Sequence, residues 1–226
     1  MKTVFAIFTS MFLAVSLVQS EDNPIQKVEG ADDLQKAQRA KFRETYVNMN
    51  TDFSKYTALY LGDAHFDYRD VGRAQNYRST LHTNSRNGTF GISDADRKKF
   101  EEIVDEAFTK ELAKGKRFKI VDTLGPGTII MRGAVVDIVS RVPPEFVGRS
   151  EVYLSTVGEA TLVMEFLDGQ TGEVLARVAE RGRIGSAGGN ISMMPSNSVT
   201  VMSDVRRWSA NAARRLRAEL DASMGG

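Results

Sequence analysis

Asp63, His65 and Asp67 are the residues of this chain whose types and spacing could do chemistry together. They are two positions apart, so on a β-strand their side chains would project from one face. Carboxylates and imidazole together suit a metal ion, and they also suit general acid and base chemistry. The spacing therefore permits a metal site or an acid/base site.

Strand geometry argues against that site. Neighbouring residues on one face of a strand lie about 6.5 Å apart at the backbone, so three of them rarely converge on one ion without ligands from another element. The second histidine of the chain, His82, falls in a long polar connection. A solvated polar strand face is the favoured interpretation. A metal site formed by Asp63, His65 and Asp67 is the alternative.

The remaining motifs predict neither catalytic residues nor a cofactor. The turn at residues 125–128, GPGT, lacks the lysine of a phosphate loop, and GSAGGN at residues 185–190 does not open directly into a helix. The chain has no GxSxG sequence and no cysteine, and none of its many serines has a histidine at a motif spacing, so a serine or cysteine hydrolase is unsupported. The sequence supports no catalytic assignment.

The N-terminal residues are typical of an export signal. Lys2 precedes an apolar stretch from Val4 to Val18, and the chain turns acidic after Ser20. This pattern predicts a signal peptide at residues 1–20, cleaved between Ser20 and Glu21, and hence a periplasmic or secreted product. An uncleaved anchor is the alternative, but a spanning helix needs roughly 20 apolar residues. We therefore expect no stable membrane span in the mature chain.

The charge balance excludes one class of partner. Lys2 is the only charged residue among residues 1–20, so the mature chain carries 29 basic and 29 acidic residues. Proteins that neutralise nucleic-acid phosphates need a basic surplus, so no nucleic-acid partner is expected. Without cysteine, the exported product depends on a hydrophobic core and not on disulfides.

The elements that would position Asp63 and its neighbours follow from hydrophobic periodicity. Residues 57–69 alternate and predict one strand, with Phe66 and Tyr68 on the face opposite His65. Ser93 and Asp96 predict the start of an amphipathic helix that ends near Gly115. A second amphipathic helix runs to the C-terminal end of the chain. Its outer face carries Arg206, Arg207, Arg214 and Arg217.

The later strands predict the centre of the sheet. Residues 117–123 are predicted to form a strand. Residues 129–139 are apolar at both odd and even positions, so both faces of that strand would be apolar, which favours a central strand. Residues 158–182 predict a hairpin with Gly172 in the left-handed position of its loop. That loop sets Glu165 opposite Arg177.

These elements give an α/β (α+β) fold in the order β-α-β-β-β-β-α. One mixed sheet of about five strands carries the two helices, and the first two strands lie parallel across the first helix. The domain division is a signal at residues 1–20, a polar leader at 21–52, a single domain at 53–222 and a tail at 223–226.

The runs GPGTIIMRGAVVDIVSRVPPE and GRSEVYLSTVGEATLVMEFLDGQTGEVLARVAER resemble a bacterial family of unknown function. The resemblance covers roughly residues 28–220 and is most specific from Gly148 to Arg181. It implies a small cell-envelope domain, since most members are lipoproteins, but supplies no catalytic residues. This chain lacks the lipid-attachment cysteine, because Ser20 and Glu21 stand where it would be.

The sequence therefore favours a non-catalytic binding or assembly module with an envelope protein as partner. Its recognition surface would lie near residues 69–92 or near Met193. The helix arginines could hold a polyanion such as anionic lipid, although a solvated helix face is the favoured interpretation. The alternative function is a periplasmic hydrolase or metal-binding enzyme using Asp63, His65 and Asp67. The oligomeric state stays open.

Overall fold

A computed structural model describes residues 33–71, 88–142, 153–185, 194–195 and 198–224. The predicted signal with its Ser20 cleavage point, His82 and Met193 lie outside the described residues. The helices are α1, Asp94–Leu112, and α2, Ser198–Ser223. The strands are Leu34–Lys36 (β1), Glu44–Asn48 (β2), Ala58–Leu61 (β3), His65–Tyr68 (β4), Lys119–Val121 (β5), Thr128–Ser140 (β6), Tyr153–Leu154 (β7), Thr156–Asp168 (β8), Val174–Gly185 (β9) and Met194–Pro195 (β10).

Within these described ranges, eight strands form one mixed sheet in the order β1-β2-β9-β8-β6-β3-β5, with β4 also paired to β6. The predicted fold class and the two helices are confirmed, but the count of about five strands is wrong. Strands β1 and β2 fall in the segment 21–52 that the polarity of the sequence indicated as a leader. Both are short, two of the three residues of β1 are exposed, and β2 contains Glu44, Thr45 and Asn48 among its five residues, so their hydrophobic pattern is weak.

The centre of the sheet follows the sequence prediction closely. Strand β6 pairs with β3 and β4 on one side and with β8 on the other, so it is central. The β8–β9 hairpin sets Glu165 opposite Arg177 and Met164 opposite Val178, and Gly172 has a φ of 74°. The predicted register and loop conformation are confirmed.

The predicted single strand at residues 57–69 is two strands. Leu61 pairs with Met131, and His65 pairs with Ala134. The chain therefore advances four residues from β3 to β4 while β6 advances three. The extra residue reverses the alternation. Leu59 in β3 and Phe66 in β4 therefore both pack in the core, although one continuous strand would place them on opposite faces.

Both helices pack on one face of this sheet. Ser93 caps α1 by accepting a hydrogen bond from the backbone N–H of Asp96, as predicted. Strands β3 and β5, on either side of α1 in the chain, are parallel. The core lies between the helices and the sheet, and Phe100 of α1 and Trp208 of α2 stack there with ring centroids 6.5 Å apart.

The opposite face carries a smaller apolar cluster. Tyr46 and Ala179 are buried there, with Leu34 and Val163 packed against them. Strand β1 contributes Leu34 to this cluster, which gives a physical reason for a polar segment to join the sheet. In the part of the chain that the structure describes, no helix is long and apolar enough to cross a membrane.

Candidate functional site

The structure does not bring Asp63, His65 and Asp67 to one point. All three are exposed, and Asp63 lies between β3 and β4 whereas the other two lie on β4. Asp63 lines a cavity on the α1 side of the sheet, which neither His65 nor Asp67 lines. Among the described residues, no group of three histidine or acidic side chains is placed to hold a metal ion.

The cavity beside Asp63 is apolar in its depth. It has a volume of about 260 Å³ between α1 and the sheet, with Phe108, Met131 and Leu162 among its lining residues. Asp105 of α1 lies at the same cavity. Desolvation raises the pKa of Asp105, and the nearby carboxylates of Glu101 and Asp63 raise it further. Two acids beside an apolar gap do not by themselves form a catalytic pair.

A larger groove lies between the C-terminal half of β9 and α2. Its volume is about 510 Å³. Its lining combines basic side chains with an indole and two glycines: Glu180, Gly182, Arg183, Gly185, Arg207, Trp208, Asn211, Arg214 and Arg215. We call this the β9–α2 groove. Four arginines against one acid make it a positively charged concave surface.

The groove exists because β2 is shorter than β9. Strand β2 pairs with β9 only from Ala176 to Ala179, and β9 continues to Gly185. Before β2, the chain turns towards α2, where Phe42 is buried against the guanidinium of Arg215. Among the described strands, the last six residues of β9 therefore form an edge of the sheet, with α2 as the opposite wall.

Gly182 and Trp208 shape the floor of the groove. A Cβ atom at Gly182 would lie 2.8 Å from the indole Nε1 of Trp208, so glycine allows the ring to lie against the strand. The indole N–H makes no hydrogen bond within the described part of the chain. It is a hydrogen-bond donor at the lining of the groove, beside Gly182.

The four groove arginines differ in how they are held. Arg215 makes two hydrogen bonds of 2.9 Å to the carboxylate of Glu180, so it supports the wall. Arg207 lies 3.2 Å from Asp204, and Arg214 donates to Asn211 at 2.9 Å. Arg183 makes no ion pair within the described ranges. Arg183, Arg207 and Arg214 are exposed and can therefore reach an anionic ligand.

A separate network of charges lies on the face away from the helices. Asp137 sits at a bulge of β6 with a φ of 55° and accepts hydrogen bonds from Arg69 and Arg181. Glu159 accepts from Arg141 and Arg181. These hydrogen bonds lower the pKa values of both carboxylates. The largest contribution comes from Arg69 for Asp137 and from Arg141 for Glu159. Each carboxylate is already paired with arginines, so we interpret this network as a structural support of the sheet.

Sequence reasoning identified only part of the groove. The periodicity of α2 indicated Arg207 and Arg214 as surface arginines, and both are exposed. Arg217, placed on the same face, is half-buried and lies 3.2 Å from the carboxylate of Glu111 on α1. Arg183 was missed. It follows the hairpin in a strand pattern, and only the length difference between β2 and β9 shows that it borders a groove.

Solved structures resemble this chain only distantly, and no curated protein matches it. Protein XCC0632 from Xanthomonas campestris is 10% identical, with 78% of this chain and 90% of that chain covered and a TM-score of 0.41. A PelC dodecamer from Paraburkholderia phytofirmans is 9% identical, with 76% and 96% covered and a TM-score of 0.34. A "putative lipoprotein" from Caulobacter crescentus is 15% identical, with 54% and 81% covered and a TM-score of 0.31.

A family model also matches most of the sequence. It covers residues 26–216 and is described as "Protein of unknown function (DUF3313)". This range agrees with the resemblance over roughly residues 28–220, which is therefore confirmed. The chain belongs to the DUF3313 family of proteins of unknown function.

Proposed function

We propose that this protein is a non-catalytic binding or assembly module of the bacterial cell envelope, and that the β9–α2 groove is its recognition surface for an anionic partner. The observation that carries the proposal is the groove itself. Arg183, Arg207 and Arg214 border a space of about 510 Å³ beside an indole N–H. Such convergent donors in a concave site are typical of binding surfaces.

The envelope location rests on the sequence. The apolar stretch from Val4 to Val18 and the polar residues after Ser20 support export. The resemblance to a family whose members are mostly envelope lipoproteins supports the same compartment. We propose residues 1–20 as the cleaved signal, and the strands β1 and β2 as part of the folded domain that follows it.

Binding is favoured over catalysis by the contacts of the charged residues. Arg183, Arg207 and Arg214 border one surface, and its one acidic lining residue among those that the structure describes, Glu180, is held by Arg215. A charged groove of this kind can steer and hold an anionic segment without doing chemistry on it. The proposed partner is an envelope protein that presents acidic residues.

The test is cross-linking in intact cells followed by capture of the protein from the envelope fraction. The double variant Arg183→Glu/Arg207→Glu reverses two charges of the groove. Arg206→Glu is the matched control, because Arg206 is an exposed arginine of the same helix that does not line the groove. We expect one partner to be captured by the wild type and by Arg206→Glu, and to be lost with the double variant.

The same sample tests export. The intact mass of the captured chain should correspond to a first residue of Glu21. If the double variant captured the partner as well as the wild type does, the groove would not be the recognition surface. A mass that includes residues 1–20 would contradict the cleaved signal.

A further inference from the structure

In the part of the chain that the structure describes, the β9–α2 groove contains an open sheet edge as well as positive charge. Strand β9 runs from Val174 to Gly185, but β2 stops pairing with it at Ala179. The six residues from Glu180 to Gly185 span about 20 Å of strand. An unpaired strand edge is a template for another strand, and natural proteins usually cover or blunt it.

The direction of the backbone groups at this edge follows from the pairing of β2. The backbone C=O of Thr45 accepts a hydrogen bond of 2.9 Å from the N–H of Ala37, so Thr45 faces β1. In an antiparallel pair the N–H and C=O of one residue point to the same side, and successive residues alternate. Tyr46 and Glu44 therefore face β9, where they pair with Arg177 and Ala179.

The same alternation continues along β9. Its register with β8 shows no shift between Ala176 and Ile184. The N–H and C=O groups of Arg181 and Arg183 therefore point to the side that β2 has left. Neither residue makes another backbone hydrogen bond within the described part of the chain. Two donors and two acceptors are presented at the spacing of a strand ladder.

We propose that the β9–α2 groove binds an extended acidic peptide segment of a partner protein, which adds to the sheet beside Arg181 and Arg183. This inference rests on the proposed function and names the chemical class of its partner. The main chain of the peptide pairs with the β9 edge, and its carboxylates meet the arginines of the groove. Strand addition of this kind takes affinity from main-chain hydrogen bonds and specificity from alternate side chains.

The positions of the charges predict the pattern of the peptide. Side chains on one face of the added strand point towards α2, where Arg207, Arg214 and the indole N–H of Trp208 lie. On that face the indole of Trp208 lies against Gly182 and forms the floor over which the added strand would lie. Side chains on the other face pass the rim at Arg183. Acidic residues at every second position are therefore expected in the bound segment.

An alternative occupant is a free polyanion such as polyphosphate. A polyanion would use the arginines but would leave the backbone groups of Arg181 and Arg183 unpaired. The open backbone edge therefore favours a peptide, because only a main chain has donors and acceptors at this spacing. This difference separates the two occupants in an experiment.

The probes are three eight-residue peptides, acetylated and amidated, with glutamate at alternate positions and threonine, valine or tyrosine between. Their matched controls carry N-methyl groups on alternate residues, which keep the charge and remove the hydrogen-bonding N–H groups. Inorganic tripolyphosphate is the polyanion probe. Binding is measured by calorimetry, and hydrogen exchange reports the backbone amides of Arg181 and Arg183.

We expect at least one parent peptide to bind with a dissociation constant below about 1 mM and its N-methylated form to bind at least about tenfold more weakly. The amides of Arg181 and Arg183 should exchange more slowly in the complex. The variant Arg183→Pro should bind more weakly than Arg183→Ala, because both lose the guanidinium and only proline also loses the N–H at the edge.

Each other outcome has a definite meaning. Equal binding by parent and N-methylated peptides, or unprotected amides at Arg181 and Arg183, overturns strand addition and leaves the anionic groove in place. Failure of all three peptides with retained tripolyphosphate binding also overturns the peptide proposal. If Arg183→Glu/Arg207→Glu and Arg206→Glu bind every probe equally, the proposed function fails as well.

Discussion

The phenol of Tyr56 donates a hydrogen bond of 2.5 Å to Oδ2 of Asp168, 112 positions later in the chain. Tyr56 is buried, and Asp168 opens the β8–β9 turn, where its Oδ1 accepts from the backbone N–H groups of Gln170 and Thr171. One carboxylate therefore ties the turn to the segment that precedes β3. The hydrogen bond from Tyr56, followed by those from the turn, lowers the pKa of Asp168 to about 2.

The first prediction concerns the Tyr56 hydroxyl. Tyr56→Phe keeps the ring and removes the donor to Asp168, so the free energy of unfolding at pH 7 should fall by about 1–2 kcal/mol. Urea denaturation measures this change. An unchanged midpoint for Tyr56→Phe would show that this hydrogen bond adds nothing to stability.

The second prediction is a dependence on pH. The folded pKa of Asp168 lies below the ordinary value of about 3.9, so its ionisation stabilises the fold above that value. This stabilisation should be lost as the pH falls through about 2. Asp137 and Glu159 also have lowered pKa values and act in the same direction. Asp168→Asn therefore isolates the contribution of this carboxylate.

The expected result is convergence of two stability curves. Asp168→Asn should be less stable than the wild type at pH 6, and the difference should shrink as the pH falls towards 2. Urea midpoints at several pH values give both curves. A difference that stays constant over this range would contradict the lowered pKa.

The third prediction concerns Gly182. Its Cβ position lies 2.8 Å from Nε1 of Trp208, whose ring also stacks on Phe100. Gly182→Ala should therefore push the indole from its place and destabilise the protein by about 1–3 kcal/mol. Trp208 is the single tryptophan of the chain, so its fluorescence should shift as well.

Gly133→Ala is the matched control for that substitution. Gly133 is also in a strand, but a Cβ there meets no atom within 4 Å. Its stability should be unchanged or slightly higher, because alanine restricts the unfolded chain more than glycine does. Equal effects at Gly133 and Gly182 would exclude a specific contact with Trp208.

The fourth prediction concerns the Glu165–Arg177 pair across the hairpin. The side chain of Arg177 is only 4% exposed, and its guanidinium lies 2.6 Å from the carboxylate of Glu165. A double-mutant cycle with alanine at both positions should give a coupling of about 1–3 kcal/mol. The pair Lys36–Glu44 is far more exposed and should show a much smaller coupling.

The fifth prediction concerns the start of α1. Ser93→Ala removes the oxygen that accepts from the N–H of Asp96, which should cost about 1 kcal/mol of stability. Ser93→Asp restores an acceptor at this position and should recover most of the loss. Thermal unfolding compares the two variants. Equal loss in both would show that the cap does not contribute through this hydrogen bond.

Local patterns in the sequence predicted the elements whose own residues determine them. The β8–β9 register follows from a short loop with Gly172 and from alternation that is strong on both strands. The α1 cap depends on Ser93 and Asp96, which are neighbours in the chain. These interactions act over a few residues, so their pattern is complete within one short window.

The break between β3 and β4 could not be predicted in this way. Apolar and polar residues alternate through residues 57–69 well enough to predict one strand. After Leu61, however, at Gly62, the segment that joins β3 to β4 has one residue more than the facing part of β6. The register of the partner strand decides where the alternation reverses. This is why Asp63 lies at the α1 side of the sheet and does not join His65 and Asp67.

The sequence by itself determined the hairpin, both amphipathic helices and the central position of β6, because each depends on hydrophobic periodicity or on neighbouring residues. Only the tertiary structure decided that β1 and β2 join the sheet, since Tyr46 is buried, and Leu34 partly buried, only against Ala179 and Val163 of distant strands. The candidate site has the same origin. Arg183 and Arg207 border one groove because β2 ends before β9 does, and that difference in length exists only once the strands have paired.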